Sequence, residues 1–120
     1  MIDCIAVGLG GFLGSILRYL GGKIPLETHG FPLHTLWINV IGSFVIGCIA
    51  CLVSKNPNID PRWILFFKVG VCGGFTTFST FSLESSQLIQ SGQTGMAILY
   101  VGCSIVFGVI AVFVPQLLIK

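Results

Sequence analysis

The sequence predicts an all-α membrane protein: four helices span a bilayer and the third is broken near its middle. Three observations carry that expectation. Apolar residues make up 54% of the 120 and charged residues only 8%, against roughly 25% charged in a soluble globular domain. No formal charge falls between residues 30 and 54 or between residues 85 and 119. Residues 70 to 80 hold three glycines and three threonines, which weaken a helix through backbone entropy and β-branching. A span takes roughly 20 apolar residues, so four of them leave about 40 for loops and no room for a soluble catalytic domain.

The first span is expected at about residues 5–22, interrupted late by Arg18. The residues ahead of it offer Asp3 and no basic run, so it reads as a retained span and not a signal peptide. A linker with Lys23, Pro25, Glu27 and His29 leads to the second span, about 33–53. Asn56-Pro57-Asn58 and Asp60-Pro61 then stop the helix and turn the chain. The third span, about 63–89, contains Lys68 and Glu84, and Ser91-Gly92-Gln93-Thr94-Gly95 connects it to the fourth, about 96–118.

Four spans put both termini on one side together with the second linker. Linker basic residues then number three there (Lys55, Arg62, Lys120) against one opposite (Lys23), or four against two with Lys68 and Arg18. The positive-inside rule favours internal termini only slightly, and so close a balance is compatible with insertion both ways. A net charge of +2 without a basic run gives no sign of nucleic acid.

Five cysteines, Cys4, Cys48, Cys51, Cys72 and Cys103, all fall in apolar spans. Cys48-x-x-Cys51 has redox spacing but no βαβ context, and buried free cysteine is ordinarily packing. His29 and His34, near a membrane surface, have the chemistry for pH sensing or metal binding; as two lone histidines they read as neither.

Polar residues inside spans carry more information, because hydrocarbon makes each one costly. Thr35, Asn39 and Ser43 recur every four residues along one face of the second span. Tyr100, Ser104 and Gly108 repeat the pattern in the fourth. Singly, each stripe reads as helix–helix glue, and Gly10-x-x-x-Gly14 and Ser104-x-x-x-Gly108 fit close-packing motifs. Two stripes in one short chain favour a path.

The strongest local signal is Gly70-Val71-Cys72-Gly73-Gly74-Phe75-Thr76-Thr77-Phe78-Ser79-Thr80-Phe81-Ser82. A break is expected between Gly73 and Thr77. Unwound backbone at membrane depth is tolerated only when buried in protein or lining a cavity, and discontinuous helices commonly mark ion or substrate sites. The freed carbonyls are hard donors suited to an alkali cation, while the resumed helix aims its N-terminal amides at the same region and favours an anion. Phe78 and Phe81 share a face just beyond, with Ser79 and Ser82 beside them. Ordinarily such a pair is filler, but ring edges are electropositive, so two rings turned edge-inward would partly replace the water around a small bare anion. Glu84 comes next on that face. Spacing leaves three roles open for it: pairing with Arg18 or Lys68, gating by movement, or carrying a proton.

At these residues the chain resembles the bacterial fluoride channels, the Fluc or CrcB family. The resemblance covers all four spans. It rests on Gly73-Gly74-Phe75-Thr76-Thr77-Phe78-Ser79-Thr80-Phe81-Ser82 with Glu84, on Gly10-Gly11-Phe12-Leu13-Gly14-Ser15-Ile16-Leu17-Arg18-Tyr19, and on Thr35-Leu36-Trp37-Ile38-Asn39. It implies an antiparallel, dual-topology homodimer in the bacterial inner membrane, surrounded by lipid, with two fluoride pores and one central structural sodium ion. By resemblance, main-chain carbonyls of Gly73 and Thr76 hold the sodium, Phe78 and Phe81 are pore phenylalanines, Asn39 contacts the fluoride path and Arg18 stands near a vestibule. Thr35, Ser79, Tyr100 and Ser104 match polar positions along or beside the route, and Glu84 matches a carboxylate implicated in ion passage. His34 departs from a usual glycine, and Gly108 from a frequent hydroxyl. The implied function is passive export of fluoride, which enters a cell as its conjugate acid and is trapped at neutral pH.

Symmetry fits that picture, since an on-axis residue contributes twice and two carbonyls become four ligands. The alternative is a small proton-coupled multidrug exporter, also a four-helix dual-topology dimer. It calls for an acid deep in the first span, where this chain has Arg18, with Asp3 only at the end. A non-transporting helical packing subunit is the other rival.

Overall fold

A computed structural model describes residues 1–26 and 28–119; Glu27 of the first linker and Lys120, one of the basic residues counted above, lie outside them. The described residues form helices and no strand. We number them α1 (Ile2–Gly22), α2 (Leu33–Lys55), α3 (residues 61–75), α4 (Phe78–Gln90) and α5 (Thr94–Leu118). Four stretches are long and apolar enough to cross a membrane: α1, α2, the pair α3–α4 over Pro61–Gln90, and α5.

Local chemistry sets the ends. Asp60 caps α3 by accepting the Arg62 amide at 3.0 Å, with Pro61 at the first helical position, where its missing N–H costs nothing. The Asn56 side-chain amide donates to the Leu52 carbonyl at 3.1 Å and closes α2. After α4 the chain turns at Gly92 with φ +82°, a conformation that suits glycine.

Within α3 the winding changes. Pro61–Ile64 is α-helical, Leu65–Cys72 is a π-helix, and Gly73–Phe75 returns to α before the break. π-helical winding commonly accompanies functional sites. Here it coincides with the closest helix contact in the fold. A Cβ added at Gly70 would lie 2.7 Å from the Gly10 Cα, and one at Gly74 would lie 2.7 Å from the Gly11 carbonyl oxygen. α1 and α3 therefore touch backbone to backbone, as the Gly10-x-x-x-Gly14 spacing suggests. The Ser104-x-x-x-Gly108 motif behaves differently: the nearest atom to a Cβ at Gly108 is Ser43 Oγ at 3.7 Å, an ordinary contact. That stretch of α5 is not glued shut.

α2 packs along α5, where a Cβ on Gly47 would stand 2.6 Å from the Val112 carbonyl oxygen. The most enclosed side chain is Tyr100, with no exposed surface, packed with Leu88, Ala97, Phe31, Leu36, Phe81 and Met96. This cluster fixes α4 against α5, and with it the helix that begins just after the break.

Candidate functional site

The helix stops at Thr76 and Thr77. Their φ, ψ pairs are −81°, 157° and −149°, 120°, extended backbone in the middle of a membrane span. The expected break is thus narrower than its predicted window, because Gly73–Phe75 remains helical. Thr76 ends α3 by turning back, donating both its amide (3.0 Å) and its hydroxyl (2.8 Å) to the Cys72 carbonyl. Thr77 begins α4 by capping it, its hydroxyl accepting the Thr80 amide at 3.2 Å.

Asn39 on α2 holds the gap. Its Oδ1 accepts the Thr77 amide at 2.8 Å, and its Nδ2 donates to the Thr77 carbonyl at 3.1 Å. One side chain thereby satisfies both polar groups of an unwound residue, which the bilayer otherwise leaves without partners. The second Nδ2 hydrogen is not used by this pair and can face an anion.

These bonds have a consequence for the carbonyls. In a continuous helix the Thr77 amide would go to the Gly73 carbonyl and the Thr80 amide to the Thr76 carbonyl. Both are diverted to side chains, the first to Asn39 and the second to Thr77. The Gly73 and Thr76 carbonyls thus lose their in-register donors. The Gly74 carbonyl receives Arg18 Nε at 3.1 Å instead. Among the described residues no group of three or more His, Cys, Asp or Glu could hold a metal, so a cation at the break would rely on main-chain oxygen. Hard oxygen donors suit such an ion.

A groove of about 640 Å³ opens beside the break, lined by Asn39, Ser43, Lys68, Gly73, Thr76, Thr77, Phe78, Phe81, Ser104 and Gly108, among others. Asn39 and Ser43 of one polar stripe meet Ser104 and Gly108 of the other in its wall. The Phe78 and Phe81 rings stand 5.7 Å apart with planes at 45°. Phe78 is 78% exposed, whereas Phe81 leans on Tyr100 with centroids 5.2 Å apart. Ser104 Oγ is buried and finds no hydrogen-bond partner among the described residues. Its hydroxyl is poised to donate to something other than the described residues.

A second cavity of about 400 Å³ lies on the other side of Thr77, lined by Arg18, Lys23, His34, Thr35, Thr77 and Thr80, among others. His34 Nε2 lies 2.6 Å from the Ile24 carbonyl, and Lys23 Nζ sits 4.8 Å from the Tyr19 ring centroid. Of the predicted polar residues, Thr35 belongs to this cavity and Ser79 is exposed, 3.3 Å from the Thr77 hydroxyl. Tyr100 is behind Phe81, and its hydroxyl donates to Glu84 Oε1 at 3.0 Å. Of the roles left open for Glu84, its hydrogen bond is to Tyr100 and not to Arg18 or Lys68. Its carboxylate lines a third cavity with Thr28, Phe31, Gln87, Ser91 and Gln93.

The family model for CrcB-like protein, Camphor Resistance (CrcB), matches residues 5–115. The chain belongs to the CrcB family. Its CrcB relatives include the fluoride-specific ion channel FluC of Ruminiclostridium cellulolyticum, 41% identical with 100% of this chain and 94% of that protein covered. FluC of Rhizobium meliloti is 42% identical over 100% of this chain and 98% of its own. FluC of Chlorobium chlorochromatii is 43% identical over 91% and 85% respectively. As a CrcB member with four spanning helices, the chain is a multi-pass membrane protein. Its relatives are named as ion channels and it is not an enzyme.

Sequence reasoning passed over two parts of this CrcB site. Thr77 had no assigned role, although a threonine three residues beyond a glycine pair and three before Thr80 is a helix-start signal. Lys68 registered only as a charge inside a span and as one candidate partner for Glu84.

Proposed function

We propose that the chain is a fluoride-selective channel that lets fluoride leave the cytoplasm passively across the bacterial inner membrane and so prevents its toxicity. The observation that carries this reading is the groove at the break. An unwound segment is held open by Asn39, two phenylalanines just beyond it line the groove, and the Ser104 hydroxyl is buried without a partner among the described residues. A strongly hydrated anion enters such a place when donors replace its water. The Ser104 hydroxyl, the free Asn39 N–H and the ring edges of Phe78 and Phe81 are those donors. The names of relatives about 40% identical along the chain agree with it.

The functional unit is an antiparallel homodimer with two pores. Gly73 is exposed, with open space around its Cα, and Phe78 and Ser79 are exposed beside it. Extended backbone is not stable against lipid, so this face needs a protein cover, and a second, inverted copy supplies it. A structural sodium ion at the two-fold axis would be held by the Gly73 and Thr76 carbonyls of each copy, the two whose helical donors are diverted. Bound there, it neutralises carbonyl dipoles that would otherwise face one another. Replacing sodium with a large organic cation is expected to destabilise the dimer and silence the channel, read by thermal unfolding and flux. An unchanged unfolding midpoint counts against the ion.

Purified protein in liposomes is expected to release fluoride, followed with a fluoride electrode, and to retain chloride. In the same assay Phe78→Ile and Phe81→Ile should slow fluoride release by about tenfold or more, the loss expected when a positioned polar contact is removed from a site that replaces hydration. Equal chloride release overturns the selectivity. Full flux in both variants returns the rings to packing. Uphill, pH-driven efflux of aromatic cations would mark the multidrug-exporter reading instead.

A further inference from the structure

We infer that Lys68 is the charge that draws fluoride into the groove from the end opposite Arg18. The inference rests on the channel reading and goes beyond it, since it assigns the far mouth of the route. Lys68 lies seven residues inside the start of the Pro61–Gln90 span, about 10 Å below its end at 1.5 Å per residue. An ionisable residue at that depth is costly and marks a pathway or a pairing. No pairing is present: the Lys68 ammonium makes no hydrogen bond or ion pair with a described residue, and Glu84 is turned to Tyr100 in a separate cavity.

The charge pattern of the two cavities points the same way. They share Thr77 as a wall residue. Among the described residues, the second carries Arg18 and Lys23, the groove carries Lys68 as its sole charged wall residue, and neither wall contains an aspartate or glutamate. The break thus has positive charge on both sides and no carboxylate of the described residues in either wall, an arrangement that concentrates anions. The α5 side of the groove wall consists of Ser104, Ile105 and Gly108. Of these, Ser104 offers a buried hydroxyl without a partner among the described residues. An anion drawn by the ammonium is passed to donors along one wall.

A lysine that merely snorkels its ammonium to the membrane surface predicts no effect on current, so the two cases separate. Fluoride currents through the purified protein in planar bilayers are compared for wild type, Lys68→Met, Lys68→Arg and Lys68→Glu. At about 10 mM fluoride, where the Debye length is about 30 Å, the Met variant should carry about tenfold less current and the Glu variant less still. The Arg variant should match wild type. At about 1 M, where screening acts within about 3 Å, the Met and wild-type currents should converge. If the Met variant does not assemble, Lys68→Gln carries the same comparison. Equal currents at low fluoride, or one constant factor of loss at both concentrations, overturns the role of Lys68 while leaving the channel intact. Absence of fluoride current from wild type overturns the channel reading itself.

Discussion

Asn39→Ala should abolish fluoride flux and lower the unfolding midpoint of the protein in detergent. The truncation removes both the acceptor of the Thr77 amide and the donor to the Thr77 carbonyl. Each stranded backbone group costs about 1–3 kcal/mol in a folded interior, and water cannot rescue it in the membrane. The chain has one local remedy, which is to rewind. If α3 and α4 join into a continuous helix, the Thr77 amide returns to the Gly73 carbonyl and the groove loses its unwound wall. Asn39→Asp keeps the acceptor and loses the donor, so it should fall between wild type and Ala in thermal stability. A wild-type midpoint for Asn39→Ala would show that the clamp does not hold the break.

Gly14→Ala should destabilise the fold severely, although in an isolated helix the same change favours the helix by about 1 kcal/mol. The sign reverses because of what the methyl meets. A Cβ at Gly14 runs into the Val71 carbonyl oxygen and lies 2.9 Å from the Phe75 amide nitrogen, both backbone atoms that cannot swing aside. α1 must separate from α3, at about 1–3 kcal/mol or more for overpacking. The separation also pulls Arg18 from the Gly74 carbonyl, so flux falls with stability. Gly8→Ala is the control on the same helix. Gly8 is exposed with nothing within 4 Å of an added Cβ, and its variant should be unchanged or slightly more stable. Similar unfolding midpoints for the two variants, measured side by side, would remove close backbone contact as the basis of the α1–α3 interface.

Much of this was legible in the chain itself, and for a local reason. Hydrocarbon penalises polar groups wherever they occur, so uncharged runs mark spans, and a Gly- and Thr-rich run inside one marks where the helix gives way. The stripes Thr35–Asn39–Ser43 and Tyr100–Ser104–Gly108 follow from helical period alone, and Asn39, Ser43, Ser104 and Gly108 do share one groove wall. Their companions Thr35 and Tyr100 do not join them. A period of four drifts around a helix over two steps, and tertiary packing decides which end of the stripe turns away.

What the sequence by itself determined is the number of crossings, the broken third one and the family motifs around the break, because each depends on neighbours a few residues apart. Only the tertiary structure decided what holds the break open. Asn39 meets Thr77 across 38 residues and Arg18 meets the Gly74 carbonyl across 56, and no local pattern encodes either pairing. It also decided that Gly10 and Gly14 are contact points while Gly108 is open, and that Glu84 turns to Tyr100 and, among the described residues, leaves Lys68 without a counter-charge. Composition dictates that a polar group in a membrane needs a partner. Which partner it finds depends on helices brought side by side by packing.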